Sequence, residues 1–508
     1  MNQTHKWIML SIVSFALLLI SLDMTILYTA LPTLTHDLAA SASEKLWIIN
    51  AYPLVMSGLL LGTGALGDRI GHKRIFMIGL VVFGLASLTA AFSMNPTMLI
   101  AARVFLAVGA SMMMPATLSI IRINFENEKE RYFAIGVWGS VFSGGAGLGP
   151  LIGGALIENF HWGSVFLINV PIVIIAFLLS FKFVPTDAGH SDKKWDYVGS
   201  IQIMIGLIGI ILAIKEFTLR GGHLEIAFTA LIIGIIAMII FYRRQVRLGS
   251  PLIDFNLFKN ERFLGGMTAA IITSFILVGT QLIFTQRYQL VIGFSPLKSA
   301  LFMIAIPVAS FIAGIVMGMY LQRVSVLRAM FGALVIAASG LVCYMIFLNN
   351  GTFFEIISLI LLGCGLGASG SVASNAIMNN VPVEKAGMAA SSEEVSYELG
   401  GVLGVGILGS FLSFFYSREF VPVSGLSPKT GVDSIDEALL AAEKLPTQQA
   451  NLLINHAKEA FNSSFNSVSL LAIGITILGC LIVGYLAIKD NKKEKIQSIA
   501  LQNPNKVN

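Results

Sequence analysis

Fourteen apolar runs, most of them close to the roughly 20 residues needed to cross a hydrocarbon layer about 30 Å thick, dominate this chain and leave it few folds to choose from. They fall near 7–30, 47–66, 75–93, 97–121, 133–157, 163–184, 197–214, 224–242, 263–285, 297–321, 327–348, 353–378, 392–416 and 466–489. Lipid offers no partner to a bare N–H or C=O, so runs of this length must satisfy their backbone internally, as helices. Composition agrees: 56% of the 508 residues are hydrophobic and 12% are charged, against about 25% charged in soluble domains. A water-soluble enzyme of several domains is excluded, and so is a disordered chain, which could not carry so much apolar surface. The expected fold class is all-α and integral to a membrane. No basic cluster is interleaved with aromatic residues, so no nucleic-acid partner is expected. Cys343, Cys364 and Cys480 lie in apolar runs without metal-ligand spacing, which argues against a disulfide framework or a metal site.

An even number of spans puts both termini on one side. With that side taken as cytoplasmic, the inner segments hold 23 Lys and Arg residues, whereas the short outer loops hold five, namely Lys45, Lys215, Arg220, Arg287 and Lys298. This bias places both termini in the cytoplasm. The first run is too long for a signal peptide and contains Asp23, so it is expected to stay as the first span.

Three strings repeat in order. Gly64 and Arg69 recur as Gly318 and Arg323, Gly109-Ala110-Ser111 as Gly367-Ala368-Ser369, and Glu128, Lys129, Ala134 as Glu384, Lys385, Ala390, at offsets of 254, 258 and 256. Such order implies two six-span halves with spans seven and eight inserted between them, a plan that puts a transport site at the interface of the halves. The expected organisation is a six-helix bundle at 1–184, two inserted helices with linkers at 185–262, a second six-helix bundle at 263–489, and a cytoplasmic tail at 490–508. Within the second bundle, residues 417–465 are expected to form an outer helical hairpin. Ser434 and Glu437 read as a capping box, Ala438, Leu439, Ala442 and Leu445 make one apolar stripe before Pro446, and a second helical stretch covers 448–461.

Ionisable residues inside a span are costly and mark functional paths. Asp23, Arg103, Glu393, Glu394 and Glu398 are the ones in question. Asp23 is short and cannot snorkel as Lys or Arg can, which favours a substrate or proton role over an inert place at the interface. Glu394 and Glu398 are four apart and share a helical face, with Glu393 rotated about 100° from Glu394. Glu393 lies nearest the inner end, where a solvated helix terminus competes with a buried role. Glu398 is deeper and precedes Gly400, Gly401, Gly404 and Gly406, which suits a buried cavity. Like carboxylates one turn apart cannot easily both ionise, so such a pair is suited to hold a proton and yield it when a cation arrives. Arg103 reads either as an interhelical structural partner or as the group that couples proton release to helix movement. Asn50, Tyr52, Asn169, Gln202, Gln281 and Asn375 line a path or serve as hydrogen-bond glue between helices.

Four strings resemble the major facilitator superfamily, specifically its fourteen-span drug:proton antiporters. They are Leu22 to Pro32 in the first span, Gly64-Ala65-Leu66-Gly67-Asp68-Arg69-Ile70-Gly71-His72-Lys73-Arg74 after the second, Gly145, Gly149-Pro150 and Gly153-Gly154 in the fifth, and Trp162 to Pro171 entering the sixth. Span thirteen, with Ser392-Glu393-Glu394 and Tyr397-Glu398-Leu399-Gly400, is similar to Qac- and Smv-type quaternary-ammonium exporters. The resemblance implies two six-helix bundles plus two inserted helices. It also implies a latch by Asp68 and Arg69 that holds the outward-facing form, a seam between halves at the span-five motif, and proton coupling by Arg103. The span-four motif departs from the family pattern at Leu106 and Ala107. Ser310 stands where some members carry an additional carboxylate, which implies poor export of divalent organic cations. The implied activity is export of lipophilic cations (quaternary ammonium antiseptics, cationic dyes, biguanides) across the bacterial cytoplasmic membrane by a monomer, driven by the proton gradient without a cofactor. A neutral, anionic or metal-chelated cargo such as tetracycline is the alternative within transport. A non-transporting membrane sensor is the alternative outside it, and the absence of a nucleophile–base pair argues against an enzyme.

Overall fold

The computed structural model describes residues 3–502 apart from 39, 41, 188–195, 219–222, 250, 252, 295, 349–350, 383–384, 424–430 and 433–434, and among these no strand occurs. The helices are α1 (Gln3–Asp37), α2 (Ala42–Ile70), α3 (His72–Ala91), α4 (Pro96–Asn124), α5 (Glu128–Asn159), α6 (Ser164–Leu167), α7 (Asn169–Phe183), α8 (Tyr197–Thr218) and α9 (Leu224–Gln245). They continue with α10 (Glu261–Gln286), α11 (Pro296–Met303), α12 (Ala305–Tyr320), α13 (Val326–Ile346), α14 (Thr352–Asn379), α15 (Ala386–Glu419), α16 (Ile435–Ala442) and α17 (Thr447–Gln502). Thirteen helical stretches among the described residues are long and apolar enough to cross a membrane, with α6–α7 and α11–α12 each acting as one. The remaining long helix, α2, has 29 residues and packs between α4, α8 and α15.

Helix starts follow local chemistry. Asn95 accepts from Met98 N at 2.8 Å, with Pro96 in the first turn. Asn127 and Asn260 cap α5 and α10 in the same way, each side chain satisfying an N–H that the helix itself cannot. The expected sixth span is broken at Ile168. Pro171 has no N–H to offer the Leu167 carbonyl, so the ladder is interrupted there, and Asn169 is turned inward, 1% exposed.

Glycines set how closely the helices approach. A Cβ on Gly64 of α2 would stand 2.5 Å from the Gly387 carbonyl of α15, and one on Gly318 of α12 would stand 2.9 Å from the Tyr132 carbonyl of α5. Gly64 and Gly318 are the repeated pair seen in the sequence, so equivalent positions of the two repeats make equivalent contacts across the halves. Within α5, Gly145 and Gly149 face Ser21 and Thr25 of α1 in their own half. The seam expected there is formed instead by Gly136 against Gly314 and Gly318, and by Gly147 against Pro307. Gly153 is buried, Pro150 lies inside α5, and a Cβ on Gly154 would meet nothing within 4 Å.

The inserted pair α8–α9 lies beside α2 and α15, with Met204 and Ser200 fitting against Gly58 and Gly62. At its base Arg244 donates to Asp196 at 2.9 Å. The outward surface of α9 carries Ile232, Ile233, Ile236, Ile239 and Ile240, as a lipid-facing helix requires.

Two expectations are corrected. The outer segment is not a separate hairpin of two short helices, because α16 is followed by α17, an unbroken helix of 56 residues. At about 1.5 Å per residue it is roughly 84 Å long. This one helix combines the second hairpin arm, the last span and most of the tail. No Pro or Gly interrupts residues 447–473, so nothing ends the helix at the membrane surface. The apolar stripe does dock, with Ala438 and Ala442 buried and Leu439 and Leu445 packed against the same cluster, while Ser434 lies outside the described residues. Arg287 is the second correction. Rather than sitting in an outer loop, it is buried at the end of α10, where Nη1 donates to Tyr344 and the guanidinium lies 5.4 Å from the Phe465 ring.

Glycine spacing gives a stability test. A Cβ on Gly367 would run into the Ser310 carbonyl, so Gly367→Ala is expected to destabilise the detergent-purified protein by about 1–3 kcal/mol, read as a lower thermal midpoint. Gly154→Ala is expected to leave the midpoint unchanged or raise it.

Candidate functional site

Asp23 and Arg103 form one buried unit. Arg103 Nη1 donates to Asp23 Oδ2 at 2.6 Å, with both side chains at most 2% exposed. Arg103 Nε also donates to the Ile48 carbonyl at 3.4 Å, and its guanidinium lies over the Tyr52 ring at 4.6 Å. Asn169, presented by the break before α7, donates to Asp23 Oδ1 at 3.4 Å and to Ser87 Oγ at 3.3 Å. Four helices of the first half are thereby joined to α1. Arg103 and Asp23 are thus partners of each other, a pairing compatible with either the structural or the coupling role of Arg103.

The acidic residues of α15 are placed differently. Glu393 is 0% exposed, which removes the solvated-end alternative, and it accepts a hydrogen bond from Ser374 Oγ of α14. Glu394 is 1% exposed. Among the described residues neither has a cationic neighbour, and Glu393 Oε2 and Glu394 Oε1 have no hydrogen-bond partner. Glu398, one turn further along, is half-buried. Tyr52 lies under the Arg103 guanidinium and within electrostatic reach of Asp23 and Glu398. Burying a carboxylate without a countercharge costs several kcal/mol. The α15 site is therefore compatible with a neutralised carboxyl and poorly compatible with a bare anion.

Just below these carboxylates, the face that carries both termini is shut by helix-end chemistry. Asp68 Oδ1, at the end of α2, accepts from Gly387 N in the first turn of α15 at 2.9 Å, an anion at the positive end of a helix. Arg122 Nε, near the end of α4, donates to the Met378 carbonyl at 2.9 Å, and Arg131 Nε donates to Asn379 Oδ1. These are cations at the negative end of α14. The carboxylates and the Asp68 contact are thus carried within about two turns of one helix.

The rest of the loop motif works locally. Gly71 adopts φ +99°, which favours glycine. Asp187 accepts from His72 N at 2.7 Å and Lys73 N at 3.1 Å. Lys73 Nζ in turn donates to the Val184 carbonyl at 2.6 Å, closing the end of α7. Arg69 and Arg74 are exposed, and among the described residues Arg69 forms no ion pair across the halves. The latch seen here runs through Asp68 and Gly64. Ser310 is buried at the contact of α12 with Gly367 of α14, away from the acidic residues of α15 in its contacts.

Sequence reasoning missed Ser374, Arg122 and Arg131. Ser371, Ser374 and Asn375 make a polar strip at helical spacing in an apolar span, which was a usable signal. The two arginines read as solvated span ends.

A family model described as Major Facilitator Superfamily matches residues 13–405. The methyl viologen resistance protein SmvA of Salmonella typhimurium is 39% identical over 93% of this chain and 96% of its own. The multidrug efflux pump LfrA of Mycolicibacterium smegmatis is 35% identical over 95% and 96%. A crystal structure of the human organic anion transporter MFSD10 shares the fold, with a TM-score of 0.61 over 93% of this chain and 99% of that one at 13% identity.

The buried pair sets a prediction. Removing one partner leaves the other charge uncompensated at about 3–5 kcal/mol. Asp23→Asn is therefore expected to lower the thermal midpoint, and Asp23→Asn with Arg103→Gln to lower it less than Asp23→Asn alone. A larger drop in the double variant would contradict a charge-pair role.

Proposed function

The chain belongs to the Major Facilitator Superfamily and groups with its drug-efflux transporters, and from that premise we propose that it is a proton-coupled antiporter for lipophilic organic cations. Quaternary ammonium antiseptics, cationic dyes and biguanides are its cargo. It works as a monomer in the bacterial cytoplasmic membrane, with the termini face inward, as the Lys and Arg bias of the connections supports. The single observation that carries this reading is the placement of Glu393 and Glu394, buried without a countercharge one to two turns from the Asp68–Gly387 contact.

The cycle follows from charge balance. With the termini face shut, the α15 carboxyls must be neutral or matched by a cation, because a bare anion there is buried without a countercharge. Opening that face admits water, and a proton held on Glu393 or Glu394 leaves to the cytoplasm. A drug cation entering from the cytoplasm or the inner leaflet then neutralises the site, with Glu398 and the Tyr52 ring on its other side, and closure becomes favourable again. An external proton displaces the drug once the opposite face opens. An empty, ionised carrier is penalised from closing, so each drug cation leaves in exchange for an incoming proton. Asp23 and Arg103 hold the first half's wall of the site, and the Arg103 charge keeps Asp23 from competing as a bare anion. The polarisable Met and aromatic side chains of the spans supply an adaptable wall with cation–π contact. A relative named for methyl viologen resistance supports a cationic substrate, and because methyl viologen is a divalent quaternary cation it speaks against the restriction on divalent cations that Ser310 implied.

Everted vesicles energised to acidify their interior test this reading. Addition of ethidium or a quaternary ammonium compound is expected to release protons in the wild type. The release rate is expected to fall at least about tenfold in Glu394→Gln and Glu398→Gln, the loss of roughly 1.4 kcal/mol or more of coupling, with the protein still folded by size exclusion. Absence of drug-dependent proton release in the wild type would sink the antiport mechanism, and wild-type rates in both variants would move the site elsewhere.

A further inference from the structure

The connection that follows the inserted helices reaches the same helix end that Asp68 holds. The described residues of the 246–260 connection leave α9 on the termini face, and Ile253, Phe255, Leu257 and Phe258 pack against the larger core cluster. Phe255 meets Tyr242 of α9 at 5.0 Å and Phe258 meets Phe263 of α10 at 5.6 Å, so the segment is held at both ends. Asp254 stands at its centre. Its Oδ1 accepts from Asn256 N at 3.0 Å and starts a short 3₁₀ turn, a side-chain cap that fixes where the carboxylate points. Its Oδ2 accepts from Lys385 Nζ at 2.7 Å, and its own N–H is directed at Met388 Sδ at 3.2 Å. Lys385 is the residue before α15, two positions from Gly387, whose N–H is held by Asp68.

We propose that Asp254 and Lys385 are positioning residues for the transport cycle, forming a second arm of the latch that closes the termini face, supplied by the linker that the inserted helices bring with them. The first arm comes from α2 and the second from the 246–260 linker, and both end at the start of α15, on Gly387 and Lys385. The inserted pair therefore does more than space the halves. Through α8 it lies against α2 and α15, and through Asp254 it holds the helix on which the carboxylates sit. This inference rests on the antiporter reading for its purpose, since a latch matters only if the halves alternate, but the contact itself does not depend on the cargo.

The side-chain hydrogen bond from Lys385 holds the Asp254 carboxyl below the usual carboxylate range, with the Asn256 N–H adding to it and partial burial opposing. A depressed carboxylate contributes above its unfolded value, about 3.9, and is lost only as pH falls through the lowered value. The Asp254 carboxylate thus stays charged throughout the pH range in which a proton antiporter works. It closes the face by attraction and leaves proton sensing to the acidic residues of α15. Lys385 is 39% exposed and Asp254 20%, so a single arm is weak by itself. Its effect is to bias a two-state equilibrium rather than to block it.

Double electron–electron resonance on the full-length protein in nanodiscs tests the latch without any substrate. Spin labels at Glu126 and Gln322, both exposed on the termini face of opposite halves, in a background lacking the native cysteines, report the shut and open distances. Asp254→Asn, which keeps the turn cap, and Lys385→Gln are each expected to shift the shut-to-open ratio toward open by about two- to fivefold, the range an exposed ion pair supports. Their combination is expected to shift it no further than either alone. Distributions matching the unsubstituted protein in both single variants would overturn the proposal, and so would single effects that multiply in the double variant. Failure of the antiporter reading would appear separately, as absent drug-dependent proton release in vesicles whose protein shows the expected distance shifts.

Discussion

Everything in this structure turns on the cost of burying carboxyl groups without a countercharge. Glu393 and Glu394 are buried in α15, with Ser374 donating to Glu393. Asp23 shows the contrasting solution, a carboxylate matched by Arg103 at 2.6 Å and oriented by Asn169. The two arrangements assign different work. The paired charge joins α1 to α4, and in the proposed cycle the carboxyls without a countercharge are the ones that exchange a proton.

The shut face joins helix-end contacts to an apolar cluster that includes Phe125, Met378 and Val381. Asp68 sits at the start of α15, Arg122 and Arg131 sit at the end of α14, and Asp254 reaches Lys385 between them. Each contact is individually worth little in water. Together they act on the short connection between two adjacent helices, and one of those helices carries the carboxyls. In the proposed cycle a change of charge in the site and a change of contact at the gate are coupled through about two turns of one helix, with no need for a longer pathway.

The family and the fold were legible because they rest on periodic or covalent features. Apolar run length gave the spans, Gly64 and Gly318 gave the repeat, and the Gly-rich loop before His72 carried the resemblance. Pairing was harder to read. Asp23 and Arg103 are 80 residues apart, and no local signal says that they meet. Glu393 reads like a solvated helix end because its depth depends on how far α2 and α14 extend beside it. The buried Arg287 has the composition of a loop residue, and the continuity of α17 is hidden by a change from polar to apolar character along one unbroken helix. Asp254 and Lys385 sit in connections, where a charged residue carries no information about its partner.

The central claim is that the α15 carboxyls are neutral when the termini face is shut and release a proton to the cytoplasm when a drug cation takes its place. Infrared difference spectroscopy of the purified protein measures this directly. Adding a quaternary ammonium compound is expected to bleach a protonated-carboxyl band that is diminished in Glu393→Gln and Glu394→Gln. An unchanged carboxyl band under saturating drug would contradict the account.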